Sequence, residues 1–346
     1  MQRSTRTKQA APKAAAPQAQ APAQAANSNS IAQDLLAEAI TRQGVAADES
    51  LLLTPEQGED PMRYVFAEDG DEVAGPEGRH QQDGALPGLR PKHEGTEYMD
   101  YTGPAFVKGA GDEKAVDAND PMQGALGNCY LIAGMVAVAR ANPAAIQELI
   151  VDKGDGTFDV TLYIRPSRTR APKKVVHTID ARLPSKYTGK PIYANVGDRD
   201  DKGNGELWPA LLEKAVAQET GSYDLISGGN IGKEIPFNGS MELFTGEYES
   251  YYRTDGMEED DALLYLACAL EDKKPIICET REMESDAKLA EEANKYNVHG
   301  NHAYAPFAAD LDSRKVSLTN PWGSSHVIEL PIADFLRYYR SIRIAG

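Results

Sequence analysis

The chain has 346 residues, 41% of them hydrophobic and 26% charged, a composition that fits a folded protein of two domains or two lobes with a tail. Its formal net charge of -17 argues against nucleic acid and anionic membranes as partners, and no apolar run reaches about 18 residues, the length a membrane-spanning helix needs. The three cysteines, Cys129, Cys268 and Cys278, are too few for a disulfide scaffold and point to a reducing, cytoplasmic setting.

Residues 1–30 are rich in Ala, Pro and Gln and are expected to be disordered. Arg3, Arg6, Lys8 and Lys13 are not followed by an apolar core, so no secretory signal peptide is expected. Residues 31–97 read as an acidic linker with one short helix, which Ser30 caps and Gly44 ends, with Ile31, Leu35, Leu36 and Ile40 on one face. Glu68 to Glu72 form its acidic centre; a segment covering a cleft is the functional alternative to a solvated linker.

The folded part begins near Tyr98, with a first lobe expected over 98–228 and a second over 229–346. A glycine-bearing loop, Gln123 to Asn128, leads into Cys129, where an apolar run with helical spacing begins; Asn142-Pro143 marks its end. Asp155-Gly156 predicts a hairpin turn between Leu149 to Val151 and the alternating stretch Phe158 to Ile164. Asp152 to Asp159 has glycines at the third and fifth positions, which rules out an EF-hand loop. Val175 to Asp180 reads as a strand, and Glu206 to Thr220 as an amphipathic helix. Ser227 to Asn230 breaks the pattern and is the expected lobe boundary. Beyond it come a helix (260–270), a strand (275–279) and a polar insertion (283–296). Strands follow at 303–307, 315–319 and 326–330, then a helix at 332–338. Two unlike lobes, one helical and one β-rich, make an α+β protein.

Cys129 falls on the first turn of its helix, where free N–H groups and the helix dipole favour thiolate over thiol. A cysteine at the edge of a buried helix is, in the plainer reading, a small inert hydrophobe. A thiol nucleophile needs a base, and the base a group that fixes its tautomer. His302, just before the strand at 303–307, is the best placed base, with His299 three residues earlier. Asn320, ending the strand at 315–319, can accept the imidazole N–H, and Trp322 can keep water off that bond. Gln123 can supply an amide donor which, with the Cys129 backbone N–H, stabilises an oxyanion.

Gln123 to Ala133 resembles the active-site segment of the calpain family of papain-like cysteine proteases. Glu206 to Ala215, continued by Gly221 to Tyr223 and Ser227 to Gly229, is similar to that family's second hallmark. His302 to Tyr304 and Asn320 to Gly323 fall where the family has its histidine and asparagine. The resemblance implies a papain-like two-lobed fold and a cysteine endopeptidase acting on protein or peptide substrates through an acyl-enzyme. In it Cys129 is the nucleophile, His302 the base, Asn320 the orienting residue and Gln123 the oxyanion donor. It also implies calcium as a regulatory cofactor, because Asp120 and Glu206 match carboxylate ligands of the family's first-lobe site. A monomer is expected. The competing reading is a catalytically silent papain-fold binding module.

The chain departs from the family pattern in places. Asn128 replaces an aspartate and Tyr130 a tryptophan beside the cysteine, and Asn301 stands where glycine usually precedes the histidine. The surroundings of His326 lack the acids of a second calcium site, so none is expected there.

Overall fold

The computed structural model describes residues 89, 91–109, 113–167, 169–187, 190–200, 202–228 and 238–346. The expected tail at 1–30, the helix expected after Ser30 and most of the acidic linker lie outside these residues, as do Gly229 and Asn230 of the expected boundary.

Helix α1, Cys129–Ala141, is apolar on all sides, and residues 129 to 139 are buried along its length. Enclosing a side chain such as Leu131, Ile132 or Met135 contributes about 1.5–3 kcal/mol, which makes α1 the centre of the first core. Asn142 ends it, and the Asn142 side chain accepts the Ala145 N–H at 3.3 Å to open α2, Pro143–Leu149. The proline sits in the first turn, where its missing N–H has no partner to lose.

The expected hairpin is present. Strand β2, Ile150–Asp152, follows a first strand, β1, Glu97–Asp100, and pairs antiparallel with β3, Thr157–Ile164. Strand β4, Lys173–Asp180, lies on the other side of β3. Strands β5, Arg182–Tyr187, and β6, Lys190–Pro191, complete a small sheet in the order β1-β5-β6. Helix α3, Trp208–Thr220, starts two residues later than expected, with Pro209 in its first turn and Gly221 closing it at φ 101°. The short helix α4, Glu242–Thr245, packs on β3. Met241, Leu243 and Phe244 therefore belong to the first core although they follow the boundary expected after 228.

The second core surrounds an antiparallel sheet. It is built from β7 (Glu249–Arg253), β8 (Ile276–Thr280), β9 (Ala303–Asp310), β10 (Lys315–Thr319), β11 (Val327–Pro331) and β12 (Tyr339–Ala345). Their order is β11-β10-β9-β8-β12-β7. Helices α5 (Glu259–Glu271), α6 (Ala287–Asn294) and α7 (Ile332–Tyr338) belong to the same half, α6 arising inside the expected polar insertion. Leu266, Val316, Leu318, Phe335 and Ile342 join this core. Helix α1 lies against β8 and β9, so Ile277, Ala303 and Ala305 share the first core. The mixture of helices and sheets is the α+β class read from the sequence. Among the described residues, no single helix is long and apolar enough to cross a membrane.

Candidate active site

The loop before α1 is held from both sides. The Ala125 N–H donates to the Ile192 carbonyl at 2.7 Å, the Asn195 N–H to the Met122 carbonyl at 3.0 Å, and the Gln123 N–H to the Pro321 carbonyl at 2.8 Å. A Cβ on Gly124 would stand 2.0 Å from the Tyr193 carbonyl oxygen, so this approach requires glycine. The last of the three bonds joins the cysteine loop directly to the segment that carries Asn320.

Cys129 is the first residue of α1 and is 9% exposed. The backbone N–H of Ala303, the residue after His302, is near enough to the sulfur to favour its charged form. The helix terminus by itself predicts an acidic thiol. Burial instead pushes the Cys129 thiol up to about 11, with the Glu279 carboxylate adding to the rise and backbone N–H groups opposing it. Desolvation of the charged form outweighs the helix dipole here.

Antiparallel pairing of β9 and β10, in register at Thr319 and Ala305, brings the start of one strand beside the end of the other. His302 and Asn320 flank those ends. His302 Nε2 donates to Asn320 Oδ1 at 2.9 Å, and both residues are buried. Asn320 Oδ1 also accepts the Trp322 N–H at 3.1 Å. With the proton on Nε2, Nδ1 is the basic nitrogen. The indole of Trp322 lies 4.5 Å from the imidazole of His302 and 4.6 Å from that of His299, ring centre to ring centre. Burial drives the His302 imidazolium down to about 4, against the opposing bond to Asn320. Thiol and imidazole are therefore both neutral at rest.

The departures from the family pattern have local explanations. Asn301 has φ 52°, in the left-handed region, and its N–H donates to the Arg281 carbonyl at 3.0 Å. Asparagine is among the few residues other than glycine that visit this region readily. The Tyr130 hydroxyl donates to the Ile226 carbonyl at 2.9 Å, which satisfies the polar tip of a buried ring. Asn128 Nδ2 donates to Glu213 Oε1 at 2.7 Å, while Glu213 Oε2 accepts the Ala194 N–H at 3.0 Å. Burial pushes the Glu213 carboxyl up to about 7 against these two bonds. Glu213 escaped notice in the sequence, although an acid between Leu212 and Ala215 on an apolar helix is a usable signal.

Gln123 is tied to the Asn320 segment by its backbone N–H, but its Nε2 donates to the Leu126 carbonyl at 2.6 Å, which uses one of the two N–H groups of that amide. Glu279 lies opposite Ala303 in the sheet. Its carboxylate accepts from Ser341 Oγ at 2.9 Å and from Arg343 Nε at 3.1 Å.

Asp120 and Glu206 meet in the first half of the chain, both buried. Glu206 Oε2 accepts the Val107 N–H at 3.1 Å, and Asp120 Oδ2 accepts the Asp117 N–H at 2.6 Å and the Trp208 Nε1–H at 3.3 Å. Gly197 packs on the Glu206 carboxyl, where a Cβ would stand 2.1 Å from Oε1. Burial raises both acidities' pKa values, and the charge of Asp120 raises that of Glu206 further. Two hard oxygen donors whose repulsion a cation relieves fit calcium. Among the described residues no group of three or more His, Cys, Asp or Glu side chains is arranged around a metal, so carbonyls or water would have to complete the shell.

The calpain family cysteine protease model matches residues 101–328. The chain is similar to the calpain-1 catalytic subunit of Mus musculus, 30% identical over 59% of this chain and 27% of that protein. It is also similar to calpain-8 of Mus musculus, 26% identical over 64% of this chain and 29% of that one. A third relative is calpain clp-4 of Caenorhabditis elegans, 26% identical over 59% of this chain and 27% of the relative. The chain thus spans under a third of the length of these relatives.

Proposed function

Because the chain belongs to the calpain family of cysteine proteases, we propose that it is a cysteine endopeptidase with a papain-like two-lobed arrangement, working through a thioester acyl-enzyme. Cys129 Sγ attacks the scissile carbonyl carbon as its proton passes to His302 Nδ1. Asn320 holds the imidazole through Nε2 and stabilises the imidazolium that forms. The Cys129 backbone N–H and the second N–H of the Gln123 amide receive the oxyanion. Collapse expels the amine, which takes the proton from His302, and water then hydrolyses the thioester with His302 as base.

The observation that carries this reading is the 2.9 Å bond from His302 to Asn320 beneath Trp322, with the Cys129 sulfur against the next residue, Ala303. The neutral resting pair suits a mechanism in which the proton moves as the sulfur attacks. Buried acids and bases gain most when the charge they create is shared between them.

Asp120 and Glu206 are the residues that would hold regulatory calcium. Its charge would offset the two carboxylates and tie the loop before Gln123 to the start of α3. Digestion of casein by the wild-type chain and by Cys129→Ala, with calcium and with chelator, tests the proposal. Cleavage by wild type alone is expected; equal cleavage by the variant would remove Cys129 from the chemistry.

A further inference from the structure

His326 closes the turn that Asn320 opens. Its Nδ1 accepts the Asn320 backbone N–H at 3.1 Å, so this nitrogen carries no proton and the ring is a neutral tautomer. The rest of Asn320 is engaged as well: its carbonyl accepts the Gly323 N–H at 3.1 Å and its Oδ1 serves both His302 and Trp322. The His326 carbonyl accepts from Asn297 Nδ2 at 3.2 Å, which fixes the same segment to the loop before His299. Asn320 is wholly buried, so its backbone N–H has no water to turn to if this acceptor is lost. The His326 ring is therefore the outer end of a relay that runs through Asn320 to His302.

The ring is half-buried and lines an open cavity of about 520 Å³. The charged groups facing that space are Arg140 from α1 and Glu113, Lys114 and Asp117 from the preceding loop. Burial and the Arg140 guanidinium both lower the pKa of His326 from its ordinary 6.5. A protonated ring would present Nδ1–H to the Asn320 N–H, two donors face to face, and the bond would be lost.

Resting on the reading of Cys129, His302 and Asn320 as a catalytic set, we propose that His326 is a positioning residue whose neutral ring holds the Asn320 backbone and whose protonation releases it. The acid side of the activity profile then carries two protonations, one on His302 and one on His326.

Alkylation of Cys129 by iodoacetamide, followed by mass spectrometry across the acid range, tests this without requiring peptide hydrolysis. The wild-type rate is expected to fall with a limiting slope of two protons, and that of His326→Gln, which keeps an acceptor that does not titrate, with a slope of one. Equal slopes would overturn the proposal. Should His326→Gln fail to fold, NMR of the wild-type chain decides. The Asn320 amide proton is expected to shift as the His326 ring titrates, and an amide that ignores that titration would overturn the proposal. A protein that shows these effects but leaves casein intact would refute the protease reading and keep the role of His326. One that digests casein with equal slopes would do the reverse.

Discussion

Asn128 and Glu213 meet in a 2.7 Å hydrogen bond one residue before Cys129, deep between α1 and α3. Through its other oxygen Glu213 also takes the Ala194 N–H, so one buried carboxylate ties the start of α1 to the loop that flanks Gly124. Asn128→Ala removes a donor from that carboxylate. It is expected to lower stability by about 1–3 kcal/mol, the usual consequence of stranding a buried polar partner, and to slow casein digestion. Urea denaturation in the Cys129→Ala background reads the first effect, and an unchanged midpoint would show that the contact contributes nothing.

Asn301 sets the backbone that delivers His302. With φ at 52°, Asn301→Gly is expected to retain or gain stability and keep activity. Asn301→Val is expected to lose stability by at least about 1–2 kcal/mol, the penalty an L-residue pays for left-handed backbone, with more for a branched Cβ. Thermal melting and casein digestion of the two variants check this; a tolerated valine would mean that the turn relaxes freely.

Asp120, Glu206 and His302 make stability depend on pH in opposite directions. The carboxyls, with pKa values raised above their ordinary 3.8 and 4.5, favour the fold below those values, and this contribution is lost as pH rises. His302, depressed from 6.5 to about 4, favours the fold above 6.5 and loses its contribution as pH falls toward 4. In chelator the melting temperature is therefore expected to drop as pH rises past neutrality. Calcium should reduce that drop, and Asp120→Asn should remove most of the calcium effect. An alkaline slope indifferent to calcium would separate this pair from any metal.

Much of the second half could be read from its apolar residues, because the buried part of the strand at 303–310 is apolar and that at 315–319 buries Val316 and Leu318 beside Ser317 and Thr319. That apolar pattern ends at Tyr338 and does not reveal β12, which lies between β8 and β7 in the sheet. Arg340 and Arg343 made that segment look polar, whereas both reach Glu279 and Arg343 also reaches Glu249. A buried ion pair hides a strand from any argument based on apolar pattern alone. The residues now proposed as a catalytic set were visible as a spacing of residue types. Their acidities were not, because desolvation depends on what the distant half of the chain packs against Cys129 and His302.

Hydrolysis through a thioester requires a covalent bond to Cys129, and trapping that bond is the decisive measurement. The wild-type chain with calcium is mixed with an activated peptide ester, quenched in acid and digested for mass spectrometry. An acyl increment is expected on the peptide containing Cys129, absent in Cys129→Ala and increased in amount when deacylation is slowed. Ester turnover with no increment on Cys129, or an equal increment in the Cys129→Ala chain, would contradict the thioester route.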